Sequence, residues 1–268
     1  MRLGIALALG TIGGVGMWSV VVVMPAVQAD FGVGRGEASL PYTFAMLGFA
    51  GGGVLMGRLS DRYGIMAPIL GGTLLLCAGY VASALSPSIY VFALAHGLLI
   101  GLGSAAVFGP LLAHVSFWFD RRRGIAVAIA ASGNYLAGAV WPQIVRFTLD
   151  SVGWRTTHLI IAASVVVLMV PLALLLRRPP PVVAAGSTSL ARSASPAALG
   201  LSPNMLMLLL AIAGIACCVA MSMPQVHIVA YCADLGYGVA RGSEMLSLML
   251  AFGIISRVGS GFVADRIG

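Results

Sequence analysis

Gly57-Arg58-Leu59-Ser60-Asp61-Arg62-Tyr63-Gly64 and Gly261-Phe262-Val263-Ala264-Asp265-Arg266-Ile267-Gly268 share one pattern, G-x-[LV]-[SA]-D-R-x-G, with their aspartates 204 residues apart. Each octet closes a long apolar run. The two runs also open alike, on Arg35-Gly36-Glu37 and on Arg241-Gly242-Ser243-Glu244. A charged loop repeated at this distance, each time behind an apolar run, reads as a multi-helix membrane unit duplicated in tandem.

The composition agrees. Of 268 residues 60% are hydrophobic and 9% charged, and the mean hydropathy is +1.02. Ordinary soluble domains carry about 25% charged residues. So few ionisable groups cannot coat a water-soluble globule, which excludes a soluble enzyme. A pI of 9.8 elsewhere suggests nucleic acid. Here all 15 basic residues are arginines in short clusters between apolar runs, and no basic face exists for such a partner.

A helix crossing a core of about 30 Å needs about 20 apolar residues. The runs free of charge predict eight spans, at 4–27, 38–57, 66–85, 89–117, 124–146, 157–176, 205–230 and 244–262. Ser86-Pro87-Ser88 divides the third from the fourth. The first run reads as a span and not as a secretory signal, whose apolar core is only about 7–15 residues. Arginine placement orients the bundle. Ten arginines fall at the N-terminus, in the 2–3, 4–5 and 6–7 connections and at the C-terminus, against four on the opposite face. Both termini are therefore expected in the cytoplasm, in a multi-pass protein of the cell's inner (plasma) membrane. The four cysteines mostly fall inside spans and suggest neither a disulfide framework nor a metal site.

Three regions follow: a six-helix half over 1–176, a Pro-, Ala- and Ser-rich cytoplasmic linker over 177–203, and the first two helices of a second half over 204–268. The expected fold is all-α.

The G-x-x-x-D-R-x-G loop between the second and third helices resembles the signature of the major facilitator superfamily, and its echo after the eighth helix is what that family shows. The family usually places two basic residues after the last glycine, where Ile65-Met66 stand here. Trp118-Phe119-Asp120-Arg121-Arg122-Arg123-Gly124-Ile125-Ala126, leading into Ala131-Ser132-Gly133-Asn134-Tyr135-Leu136-Ala137-Gly138, resembles the corresponding stretch of monocarboxylate and oxalate:formate transporters. The resemblance covers the whole chain in topology and is sharp over 57–64, 117–138 and 253–268. Members have two six-helix halves, so a chain ending at the eighth helix reads as a truncated product or a partial sequence.

Asp61 and Asp265, where helices end in loops, can accept from the free amides of a neighbouring helix or pair with Arg62, Arg121 or Arg122. The resemblance implies a conformational latch of Gly57, Asp61, Arg62, Arg121, Arg122, Asp265 and Arg266, favouring the state open to the outside. The alternative is that these charges only anchor loops in the cytoplasm. The small-residue runs Gly51-Gly52-Gly53 and Gly101-Leu102-Gly103, with Gly133 and Gly138, suit tight helix packing.

Arg257 stands apart. It lies eight residues before Asp265, about 12 Å along the helix from the rim. An arginine at that depth costs at least about 2.5–3.5 kcal/mol, so it needs a wet cavity or a partner. No acid of this chain is expected at its depth, and a guanidinium fork suits a carboxylate. The resemblance implies that such an arginine binds the substrate carboxylate. The competing reading is that Arg257 snorkels to the surface.

Trp18, Tyr42, Asn134, Tyr135 and Gln225 are the polar and aromatic residues expected to complete a carboxylate site, against a plain packing role for each. Gly253 stands where proton-coupled relatives have an aspartate, and Gly97, beside His96, where many family members have an arginine. His227 is the remaining candidate for a titrating group in the pathway.

The expected function is secondary active transport of a small organic anion, a mono- or dicarboxylate, by alternating access. The alternatives are a drug or sugar carrier in the same fold and a non-transporting fragment. The expected partners are the anion, the lipid bilayer, and a coupling proton or counter-transported anion. No enzymatic step, cofactor, metal or nucleic acid is expected, and no G-x-x-x-x-G-K-[ST] loop is present.

Overall fold

The computed structural model describes residues 2–119, 123–177 and 202–267. Arg121, Arg122 and nearly all of the expected 177–203 linker lie outside these residues. Every regular element among the described residues is helical. Seven helices are long and apolar enough to cross a membrane, and one of them holds two spans.

The first span is α1 (Arg2–Gly13) followed by α2 (Val15–Phe31), and the second and third are α3 (Arg35–Tyr63) and α4 (Met66–Ala84). The fourth begins as α5 (Ile89–Ala95), widens into a π-helical stretch at His96–Gly101, and continues through α6 (Leu102–Ala105) and α7 (Gly109–Ser116). Helix α8 (Arg123–Leu175) holds the fifth and sixth spans. It folds back at Gly153, whose φ of 77° is one a side chain would resist. The seventh and eighth spans are α9 (Pro203–Asp234) and α10 (Gly238–Ile267). The expected spans are all present. Several overrun their apolar cores: α2 continues past 27 to Phe31, and α10 starts at Gly238 rather than 244, because helices persist into the polar boundary layer.

The first span is largely enclosed, with Leu9, Val15, Val22 and Val23 fully buried, while the seventh exposes its apolar window along its length. The first packs on the fifth, where Trp141 Nε1 donates to Thr11 O at 2.8 Å. The third packs on the sixth through a buried aromatic cluster. Tyr80, Phe92, His96, Trp154 and His158 meet with ring centroids 4.3–5.9 Å apart, and Tyr80 Oη shares a 2.7 Å hydrogen bond with Ser19 Oγ. His158 is thus a core residue.

The second and fourth spans cross glycine on glycine. A Cβ on Gly48 would fall on the carbonyl of Gly97, and one on Gly97 would lie 2.9 Å from Phe44 Cβ. Backbone contact of this kind gives membrane helices their packing. It also accounts for the glycine at 97, which leaves no room for a side chain. Gly48→Ala should therefore lower stability by about 1–3 kcal/mol, read as a fall in the thermal unfolding midpoint in detergent. Gly51→Ala, facing open space, should leave that midpoint unchanged.

Candidate functional site

The fifth and eighth spans run antiparallel along a seam of small residues. At one end Gly261 lies against Ala128, with 2.6 Å between Ala128 Cβ and the position a Cβ on Gly261 would take. Four residues on, Asp265 accepts from Gly124 N at 2.7 Å and Ile125 N at 2.9 Å. These are first-turn amides of α8, without partners inside their own helix, and the carboxylate also meets the positive end of the helix dipole. At the other end Gln143 Nε2 donates to Ser247 Oγ at 3.2 Å.

Midway, Tyr135 fills the space over Gly253, where an added Cβ would sit 2.5 Å from the ring. Arg257 Cζ stands 5.0 Å from the centroid of that ring, within cation–π range. Arg257 is half-buried and has no carboxylate partner among the described residues. It lines a cavity of about 600 Å³ together with Tyr135, Gln225, Ser256, Ser260 and Met221. One guanidinium, three hydroxyls and an amide thus line a largely apolar hollow formed by the fifth, seventh and eighth spans. Such a wall can take one negative charge by a two-pronged hydrogen bond and shelter an apolar body beside it.

The expected site residues therefore separate. Arg257, Tyr135 and Gln225 share the cavity, whereas Trp18, Asn134, Tyr42 and His227 are not on its wall. Trp18 is 4% exposed and its indole donates to Asn134 O at 3.1 Å, so both are engaged in joining the first span to the fifth. The Asn134 side chain reaches a different, small hollow beside Ser104. Tyr42 packs against core residues on the second span, and His227 is exposed on α9.

The expected latch residues separate too. Asp265 caps α8. Asp61 is exposed with no ion pair or hydrogen bond among the described residues, Gly57 faces open space, and Arg62 lies over its neighbour Tyr63 at 5.3 Å. Arg266 is exposed.

At the opposite end of the bundle Arg35, starting the second span, grips Asp234, ending the seventh, with both prongs at 2.6 and 2.8 Å. A cavity of 380 Å³, lined by Met24, Gln28 and Ala230, opens beside the pair. Its members are 199 residues apart and meet only through folding.

The family model for the Major Facilitator Superfamily matches residues 6–268. The chain belongs to that superfamily. Among curated relatives it is 28% identical to the MFS-type transporter pytF of Aspergillus terreus, over 81% of this chain and 72% of that protein. It is 38% identical to Monocarboxylate transporter 11 of Mus musculus over 38% of this chain and 23% of that one. The crystal structure of the peptide transporter POT in complex with alafosfalin superposes with a TM-score of 0.55 at 17% identity, covering 85% of this chain and 51% of that protein. The last likeness is one of fold. The chain spans about half of that structure and a smaller share of the mouse relative. Its fold is that of a major facilitator six-helix half followed by the first two helices of the second half, in a multi-pass membrane protein.

Proposed function

We propose that the full-length protein carries a small organic anion, a mono- or dicarboxylate, by alternating access, with Arg257 as the group that holds the carboxylate. The observation that supports this reading is Arg257 itself: a guanidinium two helical turns inside the eighth span from Asp265, on a cavity wall, resting on an aromatic ring and without a carboxylate partner among the described residues. A cation so placed needs compensation, and a solute carboxylate supplies it. Tyr135 presents its face to the guanidinium and holds it out from the helix. Gln225, Ser256 and Ser260 offer further hydrogen bonds.

The ends of the bundle bearing Asp265 and Arg266 belong to the cytoplasm, by arginine placement. Asp265 on the α8 amides then ties the cytoplasmic ends of the halves together, and Arg35–Asp234 ties the outer ends. Transport requires each tie to open in turn. Exchange against a second anion fits this wall better than proton symport, because Gly253 offers no carboxylate beside Arg257 and His227 lies off the cavity.

Uptake into proteoliposomes of monocarboxylates, dicarboxylates, a cationic drug and a sugar tests the substrate class. Saturable uptake of carboxylates alone supports the reading, and uptake of the drug or sugar in preference to every acid contradicts it. In the same assay Tyr135→Leu, which removes the aromatic face, should raise the KM for the acid about 3- to 30-fold.

A further inference from the structure

The outer tie has a counterpart elsewhere in the chain. The first span ends on Ala29-Asp30-Phe31-Gly32 and the seventh on Ala233-Asp234-Leu235-Gly236. Asp30 and Asp234 are 204 residues apart, the same offset that relates Asp61 to Asp265. Both helices end on a left-handed glycine, Gly32 at φ 63° and Gly236 at φ 82°; the second connection adds Gly238 at φ 80°, and Arg35 and Arg241 stand 206 apart, two more than the aspartates. Arg35-Gly36-Glu37 and Arg241-Gly242-Ser243-Glu244 then open the second and eighth spans. The repeat that exchanges spans one and two with seven and eight therefore carries the Arg35–Asp234 pair onto Arg241 and Asp30.

In this structure each of those two residues has a different partner. Asp30 accepts from Arg155 at 3.3 Å, and Arg241 donates to Glu244 at 2.8 Å, within its own helix. Both pairs are about half exposed, and pairs of that kind are weak. Releasing Asp30 does not orphan Arg155, which also donates to Ala84 O and Ser86 O at 2.9 and 3.0 Å and rests on Trp154 at 4.3 Å. Glu244, when released, is open to water. Exchange of partners thus leaves no buried charge unpaired.

We propose that Asp30 and Arg241 form a second outer ion pair, closing the first-to-eighth-span seam as Arg35–Asp234 closes the second-to-seventh, and that outer closure is complete only when both are made. The proposal rests on the alternating-access reading above, but its contact can be measured apart from transport.

Two experiments on the full-length protein test it. In a background with Cys77, Cys217, Cys218 and Cys232 replaced by serine, the pair Asp30→Cys and Arg241→Cys should be cross-linked by a bifunctional thiol reagent longer than a disulfide's Cα reach of about 7 Å, as Arg35→Cys with Asp234→Cys should. Absence of the 30–241 cross-link overturns the proposal, whatever solute the protein carries. Separately, Asp30→Arg should slow exchange about tenfold, and adding Arg241→Asp should restore most of it. Rescue by Arg155→Asp alone, or by neither change, overturns the proposal. Failure of carboxylate uptake with an intact 30–241 cross-link would instead overturn the substrate reading and leave the gate standing.

Discussion

Arg257→Ala should abolish concentrative carboxylate transport while leaving the protein folded. Truncating one member of a desolvated charge pair costs about 2–4 kcal/mol, or roughly 30- to 700-fold in affinity. The substitution should cost little stability, because Arg257 makes no hydrogen bond or ion pair among the described residues and only its contact with Tyr135 is lost. Arg257→Lys keeps the charge but not the planar fork, and should retain binding weakened about tenfold. The check is transport by reconstituted variants alongside their thermal unfolding. Equal uptake by wild type and Arg257→Ala would remove the anion from the account.

Asp265→Ala should shift the protein away from the state whose cytoplasmic end is closed. Two charge-assisted bonds to the first-turn amides of α8 disappear, with the favourable contact between carboxylate and helix dipole. A shift of about tenfold in the conformer ratio is expected. It should appear as faster alkylation from the cytoplasmic side of a cysteine placed at Ser260, which lines the cavity inward of Arg257. Asp265→Asn keeps an acceptor without the charge and should fall between. An unchanged labelling rate would reduce Asp265 to a loop anchor. Asp61 stands in the same motif, yet makes no comparable contact among the described residues, so the asymmetry between the octets is itself testable by the same labelling.

Much of the fold is legible in the sequence because charge is so scarce. In a chain where ionisable residues mark only helix ends, the intervals between Arg35, Arg58, Arg123, Arg146 and Arg155 almost draw the spans. Their boundaries are less legible, since helices run on through Gln28–Phe31 and Gly238–Ser243, which hydropathy assigns to the loops. The site is legible only where an expensive residue betrays it. Arg257 is costly in lipid, so its position demands a reason. Trp18, Asn134 and Tyr42 are not costly. In helices apolar on every side, sequence does not say which flank faces the cavity, and these residues turn toward neighbouring helices instead.

The histidine cluster is not legible in the sequence because its members are far apart along the chain. His96 and His158 are 62 positions apart, and only folding brings their rings within 5.9 Å. The outer tie could have been found: Ala-Asp-x-Gly recurs at the spacing of the two octets, but it is shorter and less distinctive than they are.

The central claim is that negative charge on the solute is what the eighth span reads. Counterflow of one labelled monocarboxylate, competed by the unlabelled acid and by its primary amide of the same shape, measures that directly. The account predicts strong competition by the acid and at least about tenfold weaker competition by the amide, the cost of losing a charge-assisted bidentate contact. Equal competition by the two would contradict it.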